Sequence, residues 1–430
     1  MMNLTRRSVL HRGAGILAGT VGFSALEASQ LGASLAEAAS SSTQQTNASR
    51  AVAAYNAMQK YFYVSNGPSL YRETYPVVSG GNPYAFLWEF SRALVGTLAL
   101  AGVPSSLVGG TSYVSAVQDR FAGLANYWDA AANPPAYDSY VVSLGGGDKY
   151  HDDNVWVSLA LIQQYRMGLT NSLSRAEQLF TFGQSGWDTN AADPDPGGIF
   201  WVQQGTGMGL TNHDRGTGAT AGNAELGFHL HLLTGSSTYD GDGSVAASPA
   251  SLGATNMMNW VIKYVVDSSG AGAGLYYNVV RSDGSIDTNL WSYNQGVMIG
   301  ANVLRYQLNT AANGSYLSNA VAIASKALSY YGNFEGQPPS FNVMLFQNML
   351  MLYPYASSTL QASILQAMNS YGDWAWNNKS AHNAQTNLFY FNDAGQPAYG
   401  RQAAQLRDQG AMTQLYALLA WNPSSYGKLT

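Results

Sequence analysis

The sequence predicts an all-α fold in which about twelve antiparallel helices, taken as six pairs, close into a ring with minor short hairpins. Three observations lead there. Segments with apolar residues at helical spacing alternate with Gly/Pro/Asn-rich connectors from about Ser49 to the end of the 430 residues. Strict alternation of apolar and polar residues is short and rare. No shift in composition marks a second domain, and 46% hydrophobic content suffices for one large core. Closing short-linked pairs in a ring gathers helix N-termini and connectors at one mouth.

Taken in order, the chain opens with a segment that reads as an export signal. Thr5-Arg6-Arg7-Ser8-Val9-Leu10 supplies paired arginines, Gly13 to Leu26 is weakly hydrophobic, and Ala36-Glu37-Ala38 offers a small-x-small cleavage site. This resembles a twin-arginine signal. The expected division is residues 1–38 as signal, 39–48 as a flexible leader and 49–430 as a single domain, secreted or periplasmic and monomeric. No later segment reaches about 18 uninterrupted apolar residues, so no stable membrane anchor is expected.

The helices are expected at Ser49 to Phe62, Tyr84 to Ala101, Ser112 to Ala131, Asp152 to Met167, Leu173 to Gly186, Thr217 to Leu233, Ser251 to Val266, Trp291 to Leu308, Tyr316 to Tyr331, Phe341 to Tyr353, Ser358 to Trp376 and Gln402 to Trp421. Between the fifth and sixth, the long connector Gly186 to Gly216 is expected to line the mouth, because long loops in compact domains are often functional. Within it Asp193-Pro194-Asp195-Pro196-Gly197-Gly198 reads as a rigid turn that delivers Phe200-Trp201 to a defined place. His229 and His231, two apart on a helix, point in different directions and cannot easily share a metal. Asp240-Gly241-Asp242-Gly243-Ser244 begins like a calcium loop, but Ser251 stands where a bidentate Glu is required, so it reads as a turn. Gly274 to Asn278 and Leu388 to Phe391 are the candidate hairpin strands.

Composition excludes several functions. Only 10% of residues are charged, the net charge is -5 and no basic run occurs in the body, which rules against nucleic acid and against an anionic polymer as substrate. The absence of cysteine excludes disulfides, thiol nucleophiles and thiolate metal sites. No metal or cofactor is expected. The 28 Tyr and 10 Trp suit a surface that stacks on sugar rings, although many will be core.

One stretch carries chemistry: Lys149-Tyr150-His151-Asp152-Asp153-Asn154-Val155-Trp156. With 25 acidic residues in the chain, about one adjacent pair arises by chance, so position must decide. Val155, Leu159 and Ile162 recur at helical spacing, which puts Asp152 and Asp153 on a first helical turn. There the helix N-terminus favours ionised carboxylates while mutual repulsion disfavours ionising both, so one can stay charged while the other holds a proton. A retaining glycosidase uses such a pair about 5–5.5 Å apart. Plain capping of the helix is the competing role.

Several ordered segments resemble glycoside hydrolase family 76, the alpha-1,6-mannanases, and its exported bacterial branch. They are Tyr84 to Leu94, Tyr150 to Trp156, Gly197-Gly198-Ile199-Phe200-Trp201-Val202, Thr220 to Gly227, Trp291-Ser292-Tyr293-Asn294-Gln295-Gly296 and Gln337-Pro338-Pro339-Ser340-Phe341-Asn342. The resemblance implies an (α/α)6 barrel and a retaining mechanism with Asp152 as nucleophile and Asp153 as acid/base. It implies endo-acting hydrolysis of alpha-1,6-linked mannan, a polysaccharide or its oligosaccharides. Trp88, His151, Trp156, Trp201, Asn223, Tyr293, Asn294 and Gln295 are the expected substrate-binding residues. Two departures stand out: His151 replaces a usual tyrosine, and Gly222-Asn223 replaces a Ser-Asn pairing. His151 adjoins the carboxylates, so its protonation below about pH 6.5 is expected to depress their pKa values. The alternatives are a carbohydrate-binding protein on a degenerate barrel and a glycosidase or transglycosylase acting on another alpha-linked glycan.

Overall fold

The computed structural model describes residues 25–170 and 172–430, with side chains described from residue 42. Twelve α-helices occur among them: α1 Ala25–Tyr61, α2 Leu87–Ala101, α3 Val114–Leu124, α4 His151–Arg166, α5 Leu173–Ser185, α6 Thr217–Thr234, α7 Ala254–Tyr264, α8 Ser292–Leu308, α9 Gly314–Tyr331, α10 Pro339–Leu352, α11 Ser358–Asn377 and α12 Leu406–Ala420. Every expected helix is present. The compact body spans Gln44–Thr430. It starts earlier than expected: residues 44–48, read as a flexible leader, are helical, and Asn47 and Ala48 are buried. The paired arginines lie outside the described residues, and among those described no helix is long and apolar enough to cross a membrane.

The even-numbered helices form the inner ring. Neighbours pack in the order α2, α4, α6, α8, α10, α12 and back to α2, which closes the circle. The odd-numbered helices lie outside: α3 packs on α2, α5 on α4 and α6, α7 on α6, α9 on α8, and α11 on α10 and α12. The α1 segment from Gln44 reaches α11 through Asn47–Asn369 and Arg50–Asp373, and α12 through its Ala54 carbonyl. This is an (α/α)6 barrel. Sequence explains the two layers: α6, α8, α10 and α12 are buried on nearly every side, as inner helices must be, whereas α3, α5, α7 and α9 bury one face. The ring closes tightly because α2 and α12 meet through glycines. A Cβ on Gly96 would sit 2.6 Å from the Gly410 carbonyl oxygen, and one on Gly410 would sit 2.5 Å from the Arg92 backbone.

Strands are pairs of two-residue segments, antiparallel throughout: Thr74–Tyr75 with Ala404–Gln405, Trp128–Asp129 with Ala136–Tyr137, Val279–Val280 with both Arg215–Gly216 and Ile286–Asp287, and His382–Asn383 with Leu388–Phe389. The expected strand at Leu388 is present. That at Gly274 to Asn278 is displaced to Val279, because Tyr276 makes only an isolated bridge to Val266. The helix expected over Ser112 to Ala131 stops at Leu124, and Trp128 turns into a strand.

A repeated device ties connectors to the inner ring. The fourth residue of five inner helices is polar and bonds the backbone of a neighbouring connector. Asn154 exchanges two hydrogen bonds with the Tyr137 backbone (2.8 and 3.0 Å), and Gln295 does the same with Tyr276 (2.8 and 2.9 Å). Gln409 accepts from Phe389 N and donates to Asn387 O, Asn342 donates to Phe334 O, and Thr220 accepts from Ile199 N. In α2 the fourth residue is Phe90, packed on Tyr127. Each bond satisfies a buried group that would otherwise cost roughly 1–3 kcal/mol.

Candidate active site

The inner helices run in one direction, so their N-termini share one mouth. Their first turns supply most of a cavity of about 290 Å³, near the low end of the roughly 300–1,000 Å³ of ligand sites. Its lining is Trp88 from α2, Asp152, Asp153 and Trp156 from α4, Tyr293 from α8, Phe341 from α10, with Tyr150 and Trp201 from the connectors. The aromatic wall is continuous: Tyr293 lies 4.5 Å from Phe341 and 6.1 Å from Trp156, edge-on to the latter, and Trp88 is 6.4 Å from Phe341. The rings of Tyr150 and Trp201, from the connectors, are 4.8 Å apart.

Local sequence fixes the entry to α4. Lys149 pairs with Asp129 (2.9 Å) and Asp138 (2.5 Å), anchoring the chain before the turn. Its carbonyl accepts from Gln203 N, Tyr150 bridges Val202, and His151 N donates to Trp201 O (2.9 Å), so the residues around Trp201 are zipped to the start of the helix. The Trp201 loop is held by glycine and arginine. Gly198 has φ +79° and a Cβ there would lie 2.6 Å from Trp260, so only glycine fits. The buried Arg215 pairs with Asp188 at 2.8 Å and donates to the Asp195 and Pro194 carbonyls (2.9 and 2.6 Å), stapling the Asp-Pro-Asp-Pro turn.

The two carboxylates are in unequal surroundings. Trp201 Nε1 donates to Asp152 Oδ2 at 3.0 Å and the Asp153 backbone N–H donates to Asp152 Oδ1 at 2.9 Å. Burial raises Asp152, and these two donors, with its own backbone N–H, hold the rise to about 6. Asp153 is pushed well above the carboxylate range by burial, then by the Asp152 and Glu89 charges, with the Arg92 cation opposing. At neutral pH the pair therefore holds one charge and one proton, the charge on Asp152. Such a site can deliver a nucleophilic carboxylate and a carboxylic acid to one ligand. Among the described residues no group of three His, Asp or Glu side chains is placed to hold a metal.

Residues 45–419 match the sequence model of Glycosyl hydrolase family 76. The chain belongs to this family. No curated protein matches the sequence. Solved structures share the fold at low identity. A family 76 glycoside hydrolase from a bovine Bacteroides thetaiotaomicron strain is 23% identical, with a TM-score of 0.69, over 87% of this chain and 77% of that one. The family 76 mannosidase Bt3792 of Bacteroides thetaiotaomicron VPI-5482 is 20% identical, TM-score 0.70, over 87% and 98%. An alpha-1,6-mannanase of Salegentibacter sp. HEL1_6, an inactive variant with two consecutive aspartates changed to asparagine, in complex with alpha-1,6-mannotriose, is 17% identical, TM-score 0.65, over 87% and 99%.

Within this family 76 barrel the structure brings Asp152, Asp153, Trp88, Trp156, Trp201 and Tyr293 to one cavity. Four expected binding residues lie elsewhere. His151 is buried, stacked on Phe182 at 4.4 Å and 17°, and burial lowers its pKa to about 4. It does not charge near pH 6.5 and so does not depress the carboxylates there, contrary to expectation. Asn223 is buried against Gly183 and donates to Ala219 O (2.9 Å). Asn294 is buried and turns to Asn278 (3.3 Å), and Gln295 is spent on the Tyr276 backbone. Their polarity serves the barrel wall. Tyr150 and Phe341 line the cavity without having been singled out. Both sit in segments that carried the family resemblance, and Tyr150 directly precedes the acidic stretch.

Proposed function

We propose that the protein is a retaining, endo-acting glycoside hydrolase that cleaves alpha-1,6-linked mannan by double displacement. One observation carries the reading: two adjacent carboxylates face an aromatic cavity, and only Asp152 receives the two donors that favour its anion. In the first step an Asp152 oxygen bonds to the anomeric carbon. The glycosidic C–O bond breaks with its electron pair going to the leaving oxygen, which takes the Asp153 proton. In the second step the Asp153 carboxylate takes a proton from water, the water oxygen bonds to the anomeric carbon, and the electron pair of the ester bond returns to Asp152. Trp88, Tyr293 and Phe341 offer apolar faces to sugar rings. The mannan assignment is supported by the family and by the mannotriose complex of a neighbour with the same fold.

Digestion of alpha-1,6-mannan followed by proton NMR tests this reading. The first product to appear is expected to be the alpha anomer, in oligosaccharides of mixed length, and Asp152→Asn and Asp153→Asn are each expected to lose at least about 10³-fold in kcat/KM. A beta anomer would replace retention by inversion, monosaccharide alone would replace endo by exo action, and products longer than the substrate would indicate transglycosylation. Unchanged activity in both variants would refute catalysis by this pair. Export by the paired-arginine segment is part of the same proposal; a reporter fused to residues 1–48 should leave the cytoplasm, and Arg6→Lys with Arg7→Lys should retain it.

A further inference from the structure

Arg92 is the unexplained charge of this barrel. It sits on α2 one turn after Trp88, is 3% exposed, and makes no salt bridge among the described residues. Its Nε donates to Ser91 Oγ at 3.3 Å, and its guanidinium lies 4.7 Å from the Trp88 ring centroid. It also lines a second, water-sized cavity of about 30 Å³ on the barrel axis. Trp156 lines both cavities, so Arg92 lies immediately behind the wall of the site. Around the small cavity the other polar side chains, Gln163, Gln347, Asn348, Gln414 and Thr430, carry no charge. A buried cation without a paired anion is costly, and such groups concentrate at functional sites.

We infer that Arg92 is a positioning residue of the catalytic pair, which stabilises negative charge on Asp153 from behind the wall and holds Trp88 against the cavity. The inference rests on the hydrolase reading above. In that reading the first step moves one negative charge from Asp152 to Asp153, since Asp152 becomes an ester and Asp153 gives up its proton. A cation acting on Asp153 favours that transfer, while Asp152 is served by its own donors. The charges that act on Asp153 come from Asp152 on its own helix and from Glu89 and Arg92 on α2, and Asp153 in turn acts on Tyr150. Glu89 is in turn influenced by Glu73 and, from α12, by Arg407 and Asp408. Among the described residues Arg92 is the one cation acting on Asp153.

Arg92→Met removes the charge and keeps an apolar filling of similar reach; Arg92→Lys keeps the charge without the planar fork. With mannooligosaccharide, Arg92→Met is expected to lose about tenfold in kcat/KM, and the alkaline limb of its pH profile, which reports the acid Asp153, should rise by about one pH unit. With a dinitrophenyl alpha-mannoside, whose leaving group needs no proton, the loss should stay within about threefold. Arg92→Lys should return the alkaline limb to its original place. An unmoved limb in a folded Arg92→Met, with Asp152→Asn and Asp153→Asn inactive, overturns the role of Arg92 and leaves the hydrolase reading intact. Activity surviving both aspartate changes overturns that reading instead. If Arg92→Met and Arg92→Gln both fail to fold, the residue is structural and the inference falls.

Discussion

Changing Trp201 to Phe isolates a single hydrogen bond at Asp152, the proposed nucleophile. The indole Nε1–H is one of two donors to Asp152, at 3.0 Å on Oδ2, and it opposes the rise that burial imposes on this carboxyl. A hydrogen bond to a charged acceptor contributes roughly 1.5–3 kcal/mol, and one pKa unit corresponds to about 1.4 kcal/mol. Asp152 is half-buried and water can replace part of the lost donor, so the low end applies: its pKa should move up from about 6 by about one unit. The ionised fraction at pH 6 then falls from about a half to about a tenth, a loss of about fivefold in kcat/KM that disappears above about pH 8. Phe retains a ring beside Tyr150, which limits the change in sugar contact. Because the two aspartates titrate as a coupled pair, the shift is read from the acid limb of the whole profile. A pH series of kcat/KM with circular dichroism as a fold control is sufficient. An acid limb that stays within about 0.3 pH unit while activity drops equally at every pH would refute an electrostatic role for Trp201 and leave only a contact role.

Three further expectations concern the scaffold. Gly198→Ala places a Cβ 2.6 Å from Trp260 at φ +79°, and should destabilise by about 2–4 kcal/mol, read as a drop of a few degrees in Tm together with lost activity as the Trp201 loop shifts. Gln295→Leu strands the Tyr276 N–H and C=O, and should cost about 2–4 kcal/mol in denaturant unfolding while leaving KM unchanged; a raised KM without loss of stability would return Gln295 to the binding residues. His151→Phe keeps the stack on Phe182 and should leave the activity profile in place. Its stability should change instead. The folded His151 pKa lies near 4, below its ordinary 6.5, so wild-type stability falls as pH drops from 6.5 towards 4, and the variant should lose about 2–3 kcal/mol less over that window.

The ring architecture was legible because it depends on period and count. Twelve apolar-periodic segments with short links leave few packings, and small errors at the ends, such as α3 stopping at Leu124, do not alter the order of helices. The candidate site was legible where chemistry is local: Asp152 and Asp153 are adjacent in sequence and necessarily adjacent in space. It was not legible where function depends on which way an inner helix is turned. Asn294 and Gln295 follow Tyr293 directly, yet each step along a helix rotates the side chain by about 100°. Tyr293 therefore meets the cavity while Gln295 meets a connector. The fourth-position pattern of Asn154, Thr220, Gln295, Asn342 and Gln409 shows the rule that sequence reading lacked. At the mouth of such a barrel, amides one turn into an inner helix are already committed to the backbone of the loops that build the site.

The same geometry explains why Asp153, rather than Asp152, is the carboxyl that keeps its proton. Both residues occupy a first helical turn, so the field of the helix end acts on each and cannot separate them. Separation comes from the neighbours. The Gly197-Gly198 turn and Arg215 bring Trp201 to Asp152, while Glu89 on α2, itself raised by burial to about 7, adds negative charge near Asp153 wherever it is ionised. Division of labour between two chemically identical side chains is thus written in a loop glycine pair, a buried arginine and a residue about sixty positions upstream.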